Sequence, residues 1–227
     1  MMKFQMALEA ELEYKLISRG ADFVFFTDIS HLPHKQNRHY PRAILFGIAL
    51  SPEYIQLISG SNQIGEDEFH VTESKTDQLA DYISDYLSTK GYSAYSQSEN
   101  NLYSTAYYNE GTKSSVLPHK TIAGLAGLGW IGKHNLLISA DFGSAISMCS
   151  VLTDAPLKTV LHTPASPECG DCTICKDVCP VNAIKGAAWK IGALRDELLD
   201  VFRCTSCLKC LALCPWTQNY MKQNTKA

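Results

Sequence analysis

Two cysteine quartets constrain this chain more than any other feature. Cys169, Cys172, Cys175 and Cys179 are followed by Pro180, and Cys204, Cys207, Cys210 and Cys214 by Pro215. Each set reads C-x2-C-x2-C-x3-C-P, and the second repeats the first at an offset of 35 residues at every cysteine and at the proline. An internal duplication accounts for the repeat. Three thiols at this pitch let a short loop wrap three corners of an iron–sulfur cubane, while the fourth lies too far along to close the same cube and reaches its neighbour. The spacing therefore predicts two [4Fe–4S] clusters: the first on Cys169, Cys172, Cys175 and Cys214, the second on Cys179, Cys204, Cys207 and Cys210. Ile174, Val178, Val181, Ile184, Leu208, Leu211, Leu213 and Trp216 are available to shield them from water. Zinc is the competing reading, but a zinc site takes four ligands, usually from two C-x2-C knuckles, and leaves the third cysteine and the C-P of each half without a role. The ninth cysteine, Cys149, sits in the apolar stretch from Ile146 to Leu152 and reads as a small buried hydrophobe.

Cysteine usage also speaks to the compartment. Met1 to Lys15 carries charges throughout and has no apolar core of a secretory signal, so the expected location is the reducing cytoplasm, where clustered cysteines bind metal or catalyse. The longest clean apolar run, Ala43 to Leu50, is too short to span a bilayer, so no membrane partner is expected. Hydrophobic residues make up 45% of the 227 and charged residues 19%, the balance of a folded protein. The net charge of −3 argues against a protein that coats DNA or RNA. It divides unevenly, −6 up to residue 168 and +3 beyond. Eight thiolates around two Fe4S4 cores of charge +2 add about −4 to the second part, so its basic residues balance the clusters and imply no anionic partner.

The first 168 residues are more than a ferredoxin needs. Residues 6–19 have helical spacing, with Leu8, Leu12 and Leu16 on one face and Gly20 as a stop. Phe23 to Thr27 reads as a short strand and Ala43 to Leu50 as a buried one. Segment 31–42, holding His31, His34 and His39, reads as a solvated loop, and 60–71 as another. Thr76 to Lys90 is a second expected helix, with Leu79, Ile83 and Leu87 inward and Gly91 after it. The tyrosine-rich segment 92–118 reads as half-buried strands or the lining of a flat ligand site.

Pro118 to Ala126 reads as a third helix running into Gly127-Leu128-Gly129-Trp130-Ile131-Gly132-Lys133. This stretch contains a formal G-x-G-x-x-G, but a dinucleotide fingerprint needs a strand before it and a helix after it. Here the order is reversed, with a strand expected over Asn135 to Ser139, so the glycines point to close backbone approach or a tight corner. A further strand, Ser144 to Thr153, leads to a linker from Asp154 to Pro167 whose prolines mark a domain boundary. Residues 1–160 are therefore expected to form one domain and 161–227 the double-cluster domain.

The run Ala126 to His134, then Leu137-Ile138, Gly143-Ser144 and Leu152-Thr153-Asp154, followed by both cysteine sets and Cys214-Pro215-Trp216, resembles the epoxyqueuosine reductase family. That family is related to the corrinoid-dependent reductive dehalogenases. The resemblance implies an α+β architecture: a flavin-reductase-like α/β sandwich that binds cobalamin, followed by a ferredoxin-like domain. Its clusters pass single low-potential electrons to a corrinoid or substrate, and a flavodoxin or ferredoxin supplies them. The neighbourhood of Gly129, Trp130, Gly132 and Lys133 is carried over as the corrinoid surroundings. The family's acidic proton donor has no counterpart in Lys113 to Lys120; His119 stands at its place and is the expected proton donor near neutrality. Only Thr217 to Ala227 follow Trp216, so the chain resembles a short form without the helical-repeat extension, and tRNA is not the expected partner by this measure and by charge. The alternative is an electron-transfer or corrinoid-handling protein with no tRNA substrate.

Overall fold

The computed structural model describes residues 7–60 and 67–225. Eight strands lie among the described residues: β1 (Phe23–Asp28), β2 (Arg42–Ala49), β3 (Ala94–Ser96), β4 (Tyr108–Asn109), β5 (Ser114–Ser115), β6 (Gly129–Ile131), β7 (Leu137–Ser139) and β8 (Ile146–Thr153). The chain divides into two compact units, each made of segments distant in sequence. One comprises residues up to 48, 71–126 and 147–162; the other comprises 49–70, 127–146 and 163 onward.

The first unit is built on a mixed α/β plan around a four-stranded sheet of order β1-β2-β8-β3. β1 and β2 run antiparallel, with Phe23 opposite Gly47 and Asp28 opposite Arg42. β3 and β8 are also antiparallel, from Ala94 opposite Thr153 to Ser96 opposite Val151. Leu12 and Leu16 from helix Leu8–Ile17, and Leu79, Ile83 and Leu87 from helix Glu68–Thr89, pack with Ile44, Phe46 and Val151 of the sheet. Each set repeats every four residues, the spacing that stacks side chains on one helix face. Cys149 is fully buried in the same core, as its apolar setting predicts.

The helix that ends at Thr89 begins two turns before Thr76. Its inward positions there are Thr72 and Thr76, both buried, and the Thr72 hydroxyl meets that of Ser147 at 2.9 Å. Threonine at inward positions hides the apolar period on which a sequence reading relies. Of the loop expected at 60–71, residues 61–66 lie outside the described residues, and Glu68 onward is helical. Segment 31–42 holds a short helix, His34–Asn37, pinned by the buried Asn37 amide, which donates to the carbonyls of Ile29 and Leu32. The tyrosine-rich stretch splits between β3, helix Glu99–Ser104 and the β4–β5 hairpin. Tyr95 and Tyr107 are buried edge to face at 5.6 Å, with the Arg38 guanidinium 4.2 Å from the Tyr95 ring centre.

The second unit has smaller apolar clusters and shorter helices. Helix Pro52–Gly60, not anticipated from sequence, turns Tyr54, Ile55 and Ile58 inward against Leu211, Ala212 and Tyr220. The Ser51 hydroxyl accepts the Tyr54 N–H at 3.2 Å and caps that helix. Three four-residue helices, Ile174–Asp177, Arg195–Leu198 and Lys209–Ala212, follow the cysteine loops, and helix Pro215–Asn224 closes the described chain.

Candidate metal centre and a second polar cavity

The glycine-rich run forms an antiparallel hairpin, β6–β7, with Gly129 opposite Ser139 and Ile131 opposite Leu137. The expected strand after the glycines is present, and a second one lies within them. Gly129 serves close approach of backbone: a Cβ there would collide with the Ile138 carbonyl of the paired strand. Gly143 has φ +58, and a Cβ on it would strike the backbone of Trp216 and Thr217. The next residue, Ser144, donates its N–H to the Thr217 hydroxyl at 3.0 Å. In this way the hairpin segment seats the helix that begins at Pro215, directly after Cys214.

That seating brings distant cysteines together. Cys169, Cys172, Cys175 and Cys214 line one cavity of about 170 Å³, with Lys133, His134, Ile138 and Trp216 in its wall. Among the described residues no three His, Cys, Asp or Glu side chains close around a point as the ligands of a single ion do. The four cysteines instead share the lining of that cavity. Burial, with Cys169, Cys214 and Cys172 nearby, pushes the Cys175 thiol up to about 11. Cys210 is pushed up to about 12 by burial and by Cys207, Cys175, Cys204 and Cys179. Thiols so placed disfavour their own anions unless a cationic core lies among them, which is what a cluster supplies. The neighbours of Cys175 and of Cys210 sort largely into the two interleaved quartets, and Cys175 is felt by Cys210 as well. Burial also acts on Cys179, but the backbone amides of Ala183, Val181, Ile184 and Asn182 outweigh it and lower that thiol. The Ala183 N–H lies 3.2 Å from the Cys179 sulfur.

The four residues carried over as corrinoid surroundings all fall in this cysteine unit. The Lys133 ammonium donates to the carbonyls of Gly170 at 2.7 Å and Cys172 at 3.0 Å, tying down the first cysteine loop. Trp130 packs with Ile138, Cys214, Cys169 and Trp216, its ring edge to face with Trp216 at 4.8 Å. Gly129 and Gly132 belong to the hairpin and its turn. His134, a neighbour missed as a structural residue, is buried; its Nδ1 accepts the Leu136 N–H, and Nε2 meets the Ser144 hydroxyl at 3.2 Å. Of the residues expected to shield the clusters, Ile184 and Leu211 are buried, whereas Ile174 is 40% exposed and shields little.

His119 lines a different cavity, of about 270 Å³ within the first unit, with Asp77, Gln97, Glu99, Tyr103 and Tyr108. Its Nδ1 lies 2.8 Å from the Ser150 hydroxyl, which donates to the side-chain Oε1 of Gln97 at 2.6 Å. The Gln97 amide in turn donates to the Leu117 carbonyl at 3.0 Å. Since the one hydroxyl proton of Ser150 goes to Gln97, Nδ1 of His119 must carry the hydrogen and Nε2 a lone pair. Burial pushes this imidazole down to about 4. The ring is thus neutral at neutral pH, and a proton donor near neutrality, the role expected for His119, is not what this environment makes of it. Asp77 in the same cavity has the opposite tendency: burial raises its carboxyl, against a hydrogen bond from the Glu99 N–H at 3.0 Å. Sequence reasoning missed Asp77 because it lies 42 positions before His119, on a helix face whose period reads only as core.

The family model of the 4Fe-4S dicluster domain matches residues 168–218. The chain carries a dicluster domain and resembles epoxyqueuosine reductases. The epoxyqueuosine reductase of Cellulophaga algicola is 30% identical over 169 residues, which is 68% of this chain and 49% of that protein. The chain spans between 24% and 49% of the length of the curated relatives it matches. An epoxyqueuosine reductase solved with a modified tRNA stem loop superposes with a TM-score of 0.58 at 17% identity, over 94% of this chain and 66% of that one. A reductive dehalogenase described as suggesting a mechanism for B12-dependent dehalogenation superposes at 0.67 and 20% identity, over 95% of this chain and 33% of that one. Fold is what these superpositions share with the chain, and no helix of it among the described residues is long and apolar enough to cross a membrane.

Proposed function

We propose that this chain is an iron–sulfur oxidoreductase of the epoxyqueuosine reductase type, in which two [4Fe–4S] clusters deliver low-potential electrons. One observation carries the reading: Cys169, Cys172 and Cys175 line a single cavity with Cys214, from the other end of the duplicated segment. That grouping supports the ligand exchange of two-cluster ferredoxins. Cluster one takes those four thiols and cluster two takes Cys179, Cys204, Cys207 and Cys210. Residues 161–227 act as the electron-carrying part together with the hairpin segment 127–146, and the sheet unit acts on the acceptor, on a scaffold we read as flavin-reductase-like. Two one-electron centres together hold the pair that a two-electron reduction consumes.

Cobalamin is the acceptor that the resemblance implies. The two cavities, about 170 and 270 Å³, are below the size of common ligand pockets, about 300–1,000 Å³. Each is of a size to take part of a ligand, and the electrons go to a corrinoid or directly to substrate. The polar cavity of the first unit is where this chain's own groups act on a small part of a ligand. Asp77, raised by burial, is the candidate proton donor there, and Nε2 of His119 is an acceptor. A carrier with no substrate of its own is not favoured, because similarity to the reductases extends through the unit that holds this cavity. A tRNA substrate, which the acidic charge argued against, is the ligand of one structural neighbour and becomes a direct assay here. The electron donor we infer is a flavodoxin or ferredoxin, and the compartment the cytoplasm.

Anaerobic purification tests the reading, with about eight irons and as many sulfides expected per chain. Cys214→Ser removes the cluster built by the first quartet while its own quartet keeps three thiols plus Cys179. Colourless protein, or zinc alone, defeats the proposal. Cobalamin titration followed by visible spectra, then turnover on tRNA bearing the epoxide, decides acceptor and substrate.

A further inference from the structure

Trp130 is 6% exposed, and its indole nitrogen is the one buried side-chain nitrogen or oxygen without a hydrogen-bond partner among the described residues. A buried N–H left unpaired keeps its full desolvation penalty, so such a group is rare and calls for an acceptor. The ring shares one apolar cluster with Cys214 and Cys169, two thiols of the first cavity, and meets Trp216, which stands in the cavity wall, edge to face at 4.8 Å. Protein oxygen is not the partner. No cysteine thiol is its partner either, which leaves the sulfide of a cluster seated among those thiols as the acceptor chemistry.

We propose that the Trp130 indole N–H donates to a sulfur of the cluster held by Cys169, Cys172, Cys175 and Cys214, and that this bond sets that cluster's potential. The inference rests on the cluster reading above. A cluster gains negative charge when it takes an electron, so a donor to its sulfur stabilises the reduced form more than the oxidised one and raises the potential. Trp130 is thus a tuning residue that acts on the first cluster and leaves the second alone. Trp216 is a built-in control: its indole stands in the wall of the cysteine cavity itself, and its nitrogen is not a buried orphan.

Redox titration of Trp130→Phe and Trp216→Phe, followed by EPR, tests this on the whole chain loaded with its clusters. Trp130→Phe is expected to lower the reduced-to-oxidised ratio of the first cluster at fixed potential by roughly tenfold, about 59 mV for a one-electron couple. Water admitted by the smaller ring stabilises the more charged reduced state and shifts the potential the other way, so a fall cannot come from solvent entry. In parallel, ENDOR of the reduced wild-type cluster in H2O and D2O is expected to show an exchangeable proton coupling that Trp130→Phe abolishes. An unchanged or raised potential with full iron content, an equal fall in Trp216→Phe, or a coupling that survives Trp130→Phe each overturns the inference. Wild-type protein without iron removes the cluster reading beneath it instead.

Discussion

The two units differ in what holds them together. The sheet unit buries a continuous apolar set, including Leu12, Leu16, Ile44, Phe46, Ile83, Leu87 and Val151 at 0% exposure. Fully burying such a side chain stabilises by about 1.5–3 kcal/mol, and several of them define a fold without help. In the cysteine unit the cluster around Trp130 comprises three buried residues, one of them Cys214, and three of its helices are four residues long. Helices that short do not form from propensity. Around the cysteines, ligation takes the place that hydrocarbon has in the sheet unit.

The largest test of that contrast is removal of the clusters. Ligand binding energy is folding energy where no preformed site exists in the unfolded chain. Anaerobic chelation is expected to abolish amide protection in β6, β7 and the segments from Cys169 to Cys214, while β1, β2, β3 and β8 stay protected; hydrogen exchange with mass spectrometry reads both. Equal loss in both units would erase the distinction. Next in size, Phe46→Ala leaves a cavity in the sheet core and should lower the unfolding free energy of that unit by about 3–5 kcal/mol, with iron per chain unchanged.

A smaller effect comes from His119. Its folded pKa of about 4 lies below the ordinary value of 6.5, so the unfolded chain binds the proton more readily. Stability from this group is complete above pH 6.5 and is lost as pH falls towards 4. Because the ring is not wholly enclosed, about 2 kcal/mol is a fair expectation. Denaturant midpoints of wild type and His119→Gln across pH 4–7 should converge at the acid end; parallel curves would refute the assignment. Smallest is Lys133→Met, which leaves the Gly170 and Cys172 carbonyls without their donor. A cost of about 1 kcal/mol is expected, read as faster iron loss to a chelator with no change in the sheet unit.

Legibility followed the same divide. The dicluster domain was readable because a loop of fixed reach leaves few ways to wrap a cubane, and sequence spacing is that reach. Helix Leu8–Ile17 and strands β1, β2 and β8 were readable within a few residues because their apolar periods are clean. Helix Glu68–Thr89 was truncated where threonines face inward, and Pro52–Gly60 was passed over despite its Ser51 cap. His119 was found by position but misjudged in protonation, since Ser150, Gln97 and burial, which set it, arrive from distant segments.

Order along the chain determined which thiols could share a cluster, because local geometry is carried by neighbouring residues. Only the tertiary structure decided that the glycine-rich hairpin belongs with the cysteines, that Lys133 ties down the first cysteine loop and Trp130 shares an apolar cluster with Cys214, and that Asp77 shares a cavity with His119. Each of those depends on packing between segments tens of residues apart, and burial and partner choice are properties of the packed interior that no single stretch of sequence contains.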